Sequence, residues 1–152
     1  MKDKHLASVV LAAGLSTRMR SNLPKALHPL AGFPIIDHVI SNVMSLDPER
    51  VVLVISSGLE EYAKIQEGCD YVVQADPKGT ADAVEKSDKF LRNFTGDILV
   101  IYGDSPFLSP KTMRAMIDAR RKSSGPNIVV LGFESDSPDR YGRLVLNSSG
   151  EL

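Results

Sequence analysis

The sequence lacks the features that tie a protein to an oxidising compartment, to nucleic acid or to a membrane. Its 152 residues include one cysteine, Cys69, which has no partner for an intrachain disulfide and no companion metal ligands, as is usual in a reducing compartment. A net charge of -1 provides no long-range field that would hold a nucleic-acid backbone. No apolar run approaches the roughly 20 residues that span a bilayer, and the N-terminus lacks a signal-peptide core. We therefore expect a cytoplasmic protein with neither nucleic acid nor membrane as a partner.

What the sequence contains instead is an alternation of short apolar runs and longer amphipathic segments. The apolar runs predict strands at residues 7–12, 51–55, 71–73, 98–101, 127–131 and 142–146. The run at 98–101 is apolar throughout, which predicts a strand buried on both faces. Helical spacing predicts helices at residues 34–44, 59–66 and 79–93, and another that begins at Ser109 and Pro110. The pattern predicts an α/β, Rossmann-like fold, a three-layer sandwich with a mainly parallel sheet between helices.

The predicted topology also indicates where a ligand would bind. In open parallel sheets, ligands bind at the carboxyl ends of the strands, near the point where the strand order reverses. We therefore expect the chemistry in the loops after Ala12, Val73 and Ile101. Ser148, Ser149 and Gly150 form a turn signal close to the last residue, so we expect residues 1–152 to be the N-terminal part of a longer, truncated domain.

The loop after the first predicted strand combines small residues with fixed positive charge. It reads Leu11-Ala12-Ala13-Gly14-Leu15-Ser16-Thr17-Arg18-Met19, and Lys25 follows. Small residues let backbone N–H groups come close to a phosphate or a base, while Arg18 and Lys25 supply positive charge for phosphate oxygens. The loop matches neither the Walker A motif nor G-x-G-x-x-G. Taken singly, each of the two cations would favour a solvated turn, whereas the whole string is far more specific for a phosphate or base site.

That string resembles the signature of the nucleotidyltransferases with a GT-A-like fold. The continuation Ala26-Leu27-His28-Pro29-Leu30-Ala31-Gly32, with Asp37-His38-Val39-Ile40 behind it, narrows the resemblance. It is similar to the uridylyltransferase domain of the bifunctional N-acetylglucosamine-1-phosphate uridylyltransferase/glucosamine-1-phosphate acetyltransferases. Three later motifs agree in order and spacing: Gln74-x₄-Gly79-Thr80, Tyr102-Gly103-Asp104-x-Pro106 and Tyr141-Gly142-Arg143. In that family the domain continues beyond this length and precedes a left-handed β-helix domain.

The resemblance implies roles for the matching residues. The nucleotide site would comprise Leu11, Ala12, Ala13, Gly14, Lys25, Gln74, Gly79 and Thr80. Gln74 would hydrogen-bond the uracil edge, because a carboxamide can match the donor and the acceptor of an imide. Arg18 and Lys25 would be the catalytic cations on the triphosphate, and Asp104, directly after a predicted strand, would ligate Mg²⁺. The substrate-binding residues would be Tyr102, Gly103 and Gly142.

The reaction implied by the resemblance joins UTP to N-acetylglucosamine 1-phosphate and yields UDP-N-acetylglucosamine and pyrophosphate. This product is a precursor of cell-wall peptidoglycan and of outer-membrane lipopolysaccharide. The full-length protein would form a homotrimer through its β-helix domain. Two alternatives stay open: a nucleotidyltransferase that uses another nucleoside triphosphate or sugar phosphate, and a nucleotide-binding module without turnover.

Departures from the family pattern add three expectations. Ser16 stands where the family often has glycine, which the loop should tolerate because serine is small. Ala81 and Asp82 stand where the family typically has Gly-His, which adds a negative charge near the expected nucleotide. The family's later sugar-contacting Glu and Asn, and an Asn that shares the metal, lie past Leu152. We therefore expect the 152-residue chain to bind UTP weakly without turning it over.

Overall fold

A parallel sheet forms the centre of the molecule. The structure, a computed structural model, describes residues 3–14, 19–76, 78–123, 125–137, 141–148 and 150. The strands are β1 (Asp3–Ala12), β2 (Pro29–Leu30), β3 (Phe33–Pro34), β4 (Pro48–Ile55), β5 (Cys69–Val73) and β6 (Asp97–Tyr102). The helices are α1 (Ile35–Met44), α2 (Glu60–Lys64), α3 (Thr80–Lys86), α4 (Asp88–Leu91) and α5 (Pro110–Arg120).

The order of the strands reverses once. The four-stranded sheet has the order β5-β4-β1-β6, and every pair in it is parallel. From β1 the chain proceeds outward to β4 and β5, and then returns to the other side of β1 to form β6. Because the reversal lies between β1 and β6, the carboxyl ends of these two strands form the expected ligand position.

Helices cover both faces of the sheet, which confirms the predicted three-layer α/β fold. On one face, α1, α2 and α5 pack on the sheet through a cluster that includes Ile36, Ala63 and Met113. On the other face, α3 and α4 pack through Ala83 and Leu91. Among the described residues, no helix combines the length and the apolar character that a membrane crossing requires.

The boundaries of most predicted elements agree with the structure, for local reasons. The backbone N–H of Thr112 donates to Ser109 Oγ at 3.1 Å, and Pro110 is the first helical residue, so α5 begins where the cap was predicted. The predicted helix over 79–93 is instead two helices. The buried Ser87 separates them, since its Oγ donates to the Val84 carbonyl at 2.6 Å and its backbone N–H bonds the same carbonyl. The hairpin β2–β3 was not predicted.

The predictions for the outer side of β6 were wrong. Ile98 and Val100 are 47% and 39% exposed, so β6 is buried on one face only, because α3 and α4 pack on β1 and β4 instead. Residues 127–131 and 142–146 form no strand, and Ile128 and Val145 are exposed. An apolar extended segment becomes a strand only when a neighbouring edge accepts its backbone hydrogen bonds. No strand in the described part of the chain pairs with the outer edge of β6.

Candidate functional site

A cleft of about 280 Å³ opens at the carboxyl ends of β1 and β6, where the strand order reverses. The residues around it come from the ends of three strands, the start of α3 and the turn after residue 23. They are Leu11, Ala12, Ala13, Gly14, Pro24, Lys25, Ala26, Gln74, Gly79, Thr80, Ala83, Tyr102, Gly103 and Asp104. The loops after Ala12, Val73 and Ile101 therefore meet at one place, as the sequence predicted.

The floor of the cleft is the close approach of β1 and the segment that follows β6. The backbone N–H of Gly103 donates to the Leu11 carbonyl at 2.8 Å. A Cβ atom at position 103 would lie 3.0 Å from Ala12 Cβ and 3.1 Å from the Leu11 oxygen. A larger residue would therefore push the two chain segments apart, and glycine keeps the floor of the cleft closed.

One wall of the cleft carries opposite charges. Lys25 begins a short 3₁₀ helix (Lys25–Leu27), and its Nζ lies 2.6 Å from Asp104 Oδ2. Both side chains are about two-fifths exposed, at 39% and 41%. An ion pair this exposed contributes about 1 kcal/mol or less to stability, so both charges can exchange partners when a ligand arrives. In the described segments, no three His, Cys, Asp or Glu side chains cluster as a metal site would require, and Asp104 is the carboxylate that lines the cleft.

The opposite wall holds a buried carboxamide. Gln74 follows β5, is only 4% exposed, and its backbone N–H donates to the Ile55 carbonyl at 2.8 Å. Its side-chain Nε2 donates to Asp82 Oδ2 at 2.5 Å and lies 3.4 Å from the Gly79 carbonyl. The hydrogen bond from Gln74 holds the pKa of the Asp82 carboxyl below its ordinary value, with further help from Lys86.

The start of α3 completes this wall. Gly79 has φ +116° and ψ −179°, a region that residues with a Cβ rarely adopt, and its carbonyl accepts the Ala83 N–H at 3.1 Å. Thr80 Oγ1 lies 3.5 Å from the Tyr102 hydroxyl, and both residues line the cleft.

Most of the predicted site residues lie together, although their roles remain predictions. Arg18, Ser16 and Thr17 fall outside the described residues. Gly142 is described but does not line the cleft, and a Cβ atom there would meet nothing within 4 Å. The remaining predicted residues all line it. The sequence interpretation missed Pro24, Ala26 and Ala83 as lining residues, and the contact between Asp82 and Gln74.

Cys69 lies outside this cleft. Burial raises the pKa of its thiol to about 11, with a smaller effect from the neighbouring Asp70 carboxylate. A thiol with that pKa stays protonated at neutral pH and is a poor nucleophile or metal ligand. This agrees with the sequence analysis, in which Cys69 has no companion metal ligands.

A parallel sheet with small residues, a lysine and a carboxylate at its reversal point has the architecture of an α/β nucleotidyltransferase domain. The family profile described as "MobA-like NTP transferase domain" matches residues 8–143, and the chain belongs to this family.

Curated relatives are similar to the chain over most of its length. The match to the "Bifunctional protein GlmU" of Paramagnetospirillum magneticum is 43% identical and covers 99% of this chain and 33% of that protein. The protein of the same name from Rhodospirillum rubrum is 44% identical, with coverage of 95% and 32%. That from Cereibacter sphaeroides is 47% identical, with coverage of 90% and 30%. The chain thus spans about a third of the length of these relatives and corresponds to their N-terminal region.

Solved structures share the fold at lower sequence identity. Rv0371c from Mycobacterium tuberculosis aligns with a TM-score of 0.65 at 24% identity, over 78% of this chain and 62% of that one. The same protein in complex with manganese aligns at 0.63 and 23% identity, over 76% and 59%. A nucleotidyl transferase from Methanothermobacter aligns at 0.57 and 22% identity, over 75% and 57%. These matches support the nucleotidyltransferase fold.

Proposed function

We propose that the chain is the nucleotide-binding part of an enzyme that converts UTP and N-acetylglucosamine 1-phosphate into UDP-N-acetylglucosamine and pyrophosphate. The observation that carries the proposal is the convergence of three separate sequence motifs on one cleft at the reversal point of the sheet. The identity of 43–47% to proteins named GlmU supports the choice of substrates. A cytoplasmic location goes with it, since the lone thiol needs no oxidising compartment.

In the proposed reaction, an oxygen of the sugar phosphate attacks the α-phosphorus of UTP in line with the leaving group. The bond between the α-phosphorus and the bridging oxygen to the β-phosphorus breaks, and pyrophosphate leaves with the bonding electrons. The reaction needs no covalent enzyme intermediate. Catalysis then depends on positioning of the reactants and on neutralisation of phosphate charge.

The cleft offers a suitable group for each part of the nucleotide. The small residues from Ala12 to Gly14 let the backbone approach the nucleoside, and the buried Gln74 carboxamide faces the base. The Nζ of Lys25 leaves Asp104 and binds phosphate oxygens, together with the guanidinium of Arg18. This exchange is inexpensive, because the ion pair between Lys25 and Asp104 is exposed to solvent.

Asp104 is the residue that would hold a divalent cation. Its carboxylate is a hard oxygen donor, about two-fifths exposed at the rim, and already faces a cation, Lys25 Nζ, at 2.6 Å. Magnesium commonly binds through one or two carboxylates together with substrate phosphates, so a single carboxylate beside a triphosphate site fits this group. Bound there, Mg²⁺ would neutralise charge on the phosphate oxygens.

The test is an assay of pyrophosphate release by the full-length gene product. With Mg²⁺ and N-acetylglucosamine 1-phosphate, we expect turnover with UTP and little with CTP, ATP or GTP. The 152-residue chain, assayed in parallel, should bind UTP without comparable turnover. Faster turnover with another triphosphate or sugar phosphate would reassign the substrates, and UTP binding without any turnover by the full-length protein would indicate a binding module. Sedimentation of the same sample would test whether it is a homotrimer.

A further inference from the structure

The contact between Gln74 and Asp82 fixes a side chain that the proposed function places against the base. Gln74 is 4% exposed and lines the cleft. Its Nε2 lies 2.5 Å from Asp82 Oδ2 and 3.4 Å from the Gly79 carbonyl oxygen. Position 82 is also a departure from the resemblance, since the family typically has histidine where this chain has aspartate.

The chemistry of these two partners determines which end of the carboxamide points toward them. A backbone carbonyl can only accept a hydrogen bond, and so can an ionised carboxylate. Asp82 stays ionised at neutral pH, because the pKa of its carboxyl is lowered by Gln74 and Lys86 Nζ lies 3.6 Å from its other oxygen. The NH₂ group of Gln74 must therefore face Asp82 and Gly79. No described residue donates a hydrogen bond to Gln74 Oε1.

A fixed carboxamide discriminates between bases by the ring position that it meets. Uracil carries a hydrogen on N3, which an amide oxygen can accept, whereas cytosine presents a lone pair at N3. An amide oxygen opposite a lone pair is repulsive, and such repulsion is as effective a source of specificity as attraction. A carboxamide that was free to rotate could instead turn its NH₂ group toward cytosine.

We propose that Asp82 is a positioning residue that sets the pyrimidine preference of the cleft, by holding Gln74 with its oxygen toward the base. The preferred ligands are pyrimidine nucleotides with a ring N–H, such as uracil, and cytosine nucleotides are rejected. This inference rests on the proposed function, because it requires that the base lies against Gln74.

The test measures the dissociation constants of UTP and CTP by calorimetry, with Mg²⁺ present, for the whole chain and for its variants. The unsubstituted protein should bind UTP more tightly by about tenfold or more. Asp82→Ala should bring this ratio within about threefold, whereas Asp82→Asn should largely keep it, because the asparagine oxygen still accepts from Gln74. Glu85→Ala is the matched control: it removes an exposed carboxylate from the same helix and should leave the ratio unchanged.

The ratio of the two dissociation constants separates an effect of Asp82 on the position of Gln74 from an effect of its charge alone. A carboxylate near the triphosphate would weaken UTP and CTP equally, so loss of that charge changes both constants and leaves their ratio intact. An unchanged ratio in Asp82→Ala would therefore overturn the inference while the proposed function stands. If the unsubstituted protein binds neither nucleotide, the proposed function fails, and the inference with it.

A second measurement does not depend on nucleotide binding. The side-chain amide resonances of Gln74 in a nitrogen–proton correlation spectrum report the bond to a carboxylate. Asp82→Asn is nearly isosteric and should fold normally, and it should move these resonances because a neutral acceptor forms a weaker hydrogen bond. Resonances that stay in place would show that Asp82 does not hold Gln74, which would overturn the inference.

Discussion

In the interior of the sheet, Val9, Val52 and Leu53 are fully buried among apolar neighbours, whereas at the carboxyl edge Lys25 and Asp104 remain about two-fifths exposed. The interior gains stability from the burial of apolar surface, and its side chains cannot move without loss of packing. The charges in the cleft contribute little stability and can change partners. Substitutions in the two regions should therefore affect different quantities, namely the free energy of unfolding in one and ligand chemistry in the other.

Among the substitutions that test this comparison, Leu53→Ala in β4 should have the largest effect. Leu53 is completely buried, so the cavity and the lost transfer free energy should lower the free energy of unfolding by about 2–5 kcal/mol. Denaturant unfolding measures this loss of unfolding free energy. The control is Leu131→Ala, since Leu131 is half exposed and its truncation should change stability by about 0.5 kcal/mol or less. Equal losses of unfolding free energy in both variants would show that the buried sheet interior is not the source of stability.

Lys25→Ala should instead impair catalysis strongly while it changes the free energy of unfolding only a little. Under the proposed function, we expect a loss of about 2–4 kcal/mol of transition-state stabilisation in the full-length protein, the scale of one preorganised electrostatic contact. Its free energy of unfolding should change by about 1 kcal/mol at most. Lys64→Ala removes a lysine with an equally short ion pair, 2.6 Å to Glu61, away from the cleft, and should leave kcat/KM unchanged. A decrease below about threefold in kcat/KM for Lys25→Ala would exclude Lys25 from the site.

Gly79→Ala tests a residue that lines the cleft and whose backbone conformation also affects stability. The positive φ of Gly79 strains any residue with a Cβ, so we expect a loss of about 1–3 kcal/mol in unfolding free energy. Thermal or chemical unfolding provides the value. Gly14→Ala is the comparison, because a Cβ atom there also meets nothing within 4 Å but the backbone is not strained. If the two substitutions have the same effect, backbone strain at Gly79 is not the cause.

A smaller effect, of opposite sign, is expected at Ser8 in β1. Ser8 is fully buried, and its Oγ has no hydrogen-bond partner among the described residues. Ser8→Ala should raise the free energy of unfolding by about 1 kcal/mol, because an unpaired hydroxyl no longer has to be desolvated. Ser87→Ala should lower it, since Ser87 Oγ donates to the Val84 carbonyl at 2.6 Å. A destabilised Ser8→Ala variant would indicate that the hydroxyl has a partner.

The smallest effect is expected from Mg²⁺ without nucleotide. Asp104 alone supplies too few oxygen ligands, so calorimetric titration of the nucleotide-free chain should give no saturable binding. The same titration with bound UTP should give a signal that Asp104→Asn reduces. A dissociation constant tighter than about 10⁻⁴ M in the absence of nucleotide would contradict the assignment of Asp104 as one ligand among several.

The sequence predicted the four strands of the parallel sheet, and it located the cleft. The apolar run at 51–55 was recognised because helices cover both faces of β4, so its pattern reflects burial on both faces. The ends of three predicted strands located the cleft, and the resemblance to the nucleotidyltransferases supplied the individual residues that line it. These features depend on local pattern and on the general topology of parallel sheets.

Features that depend on tertiary partners were not predictable in the same way. Residues 127–131 have the composition of a strand but pair with no edge in the described structure. The break at Ser87 depends on one side-chain hydrogen bond inside an otherwise helical pattern. The contact between Gln74 and Asp82 was signalled only by an unusual residue at position 82, whose partner the sequence could not identify.

The central position of β1 also determines when the cleft can form during synthesis. Residues 7–12 of β1 pair with residues 50–55, but residues 6–11 pair with residues 97–102 on their other side. A nascent chain that has left the ribosome only through α4 therefore exposes one unpaired edge of β1. Parallel pairing between segments so distant in sequence is intrinsically slow. The ligand cleft is completed late, when β6 docks along a strand that was translated well before it.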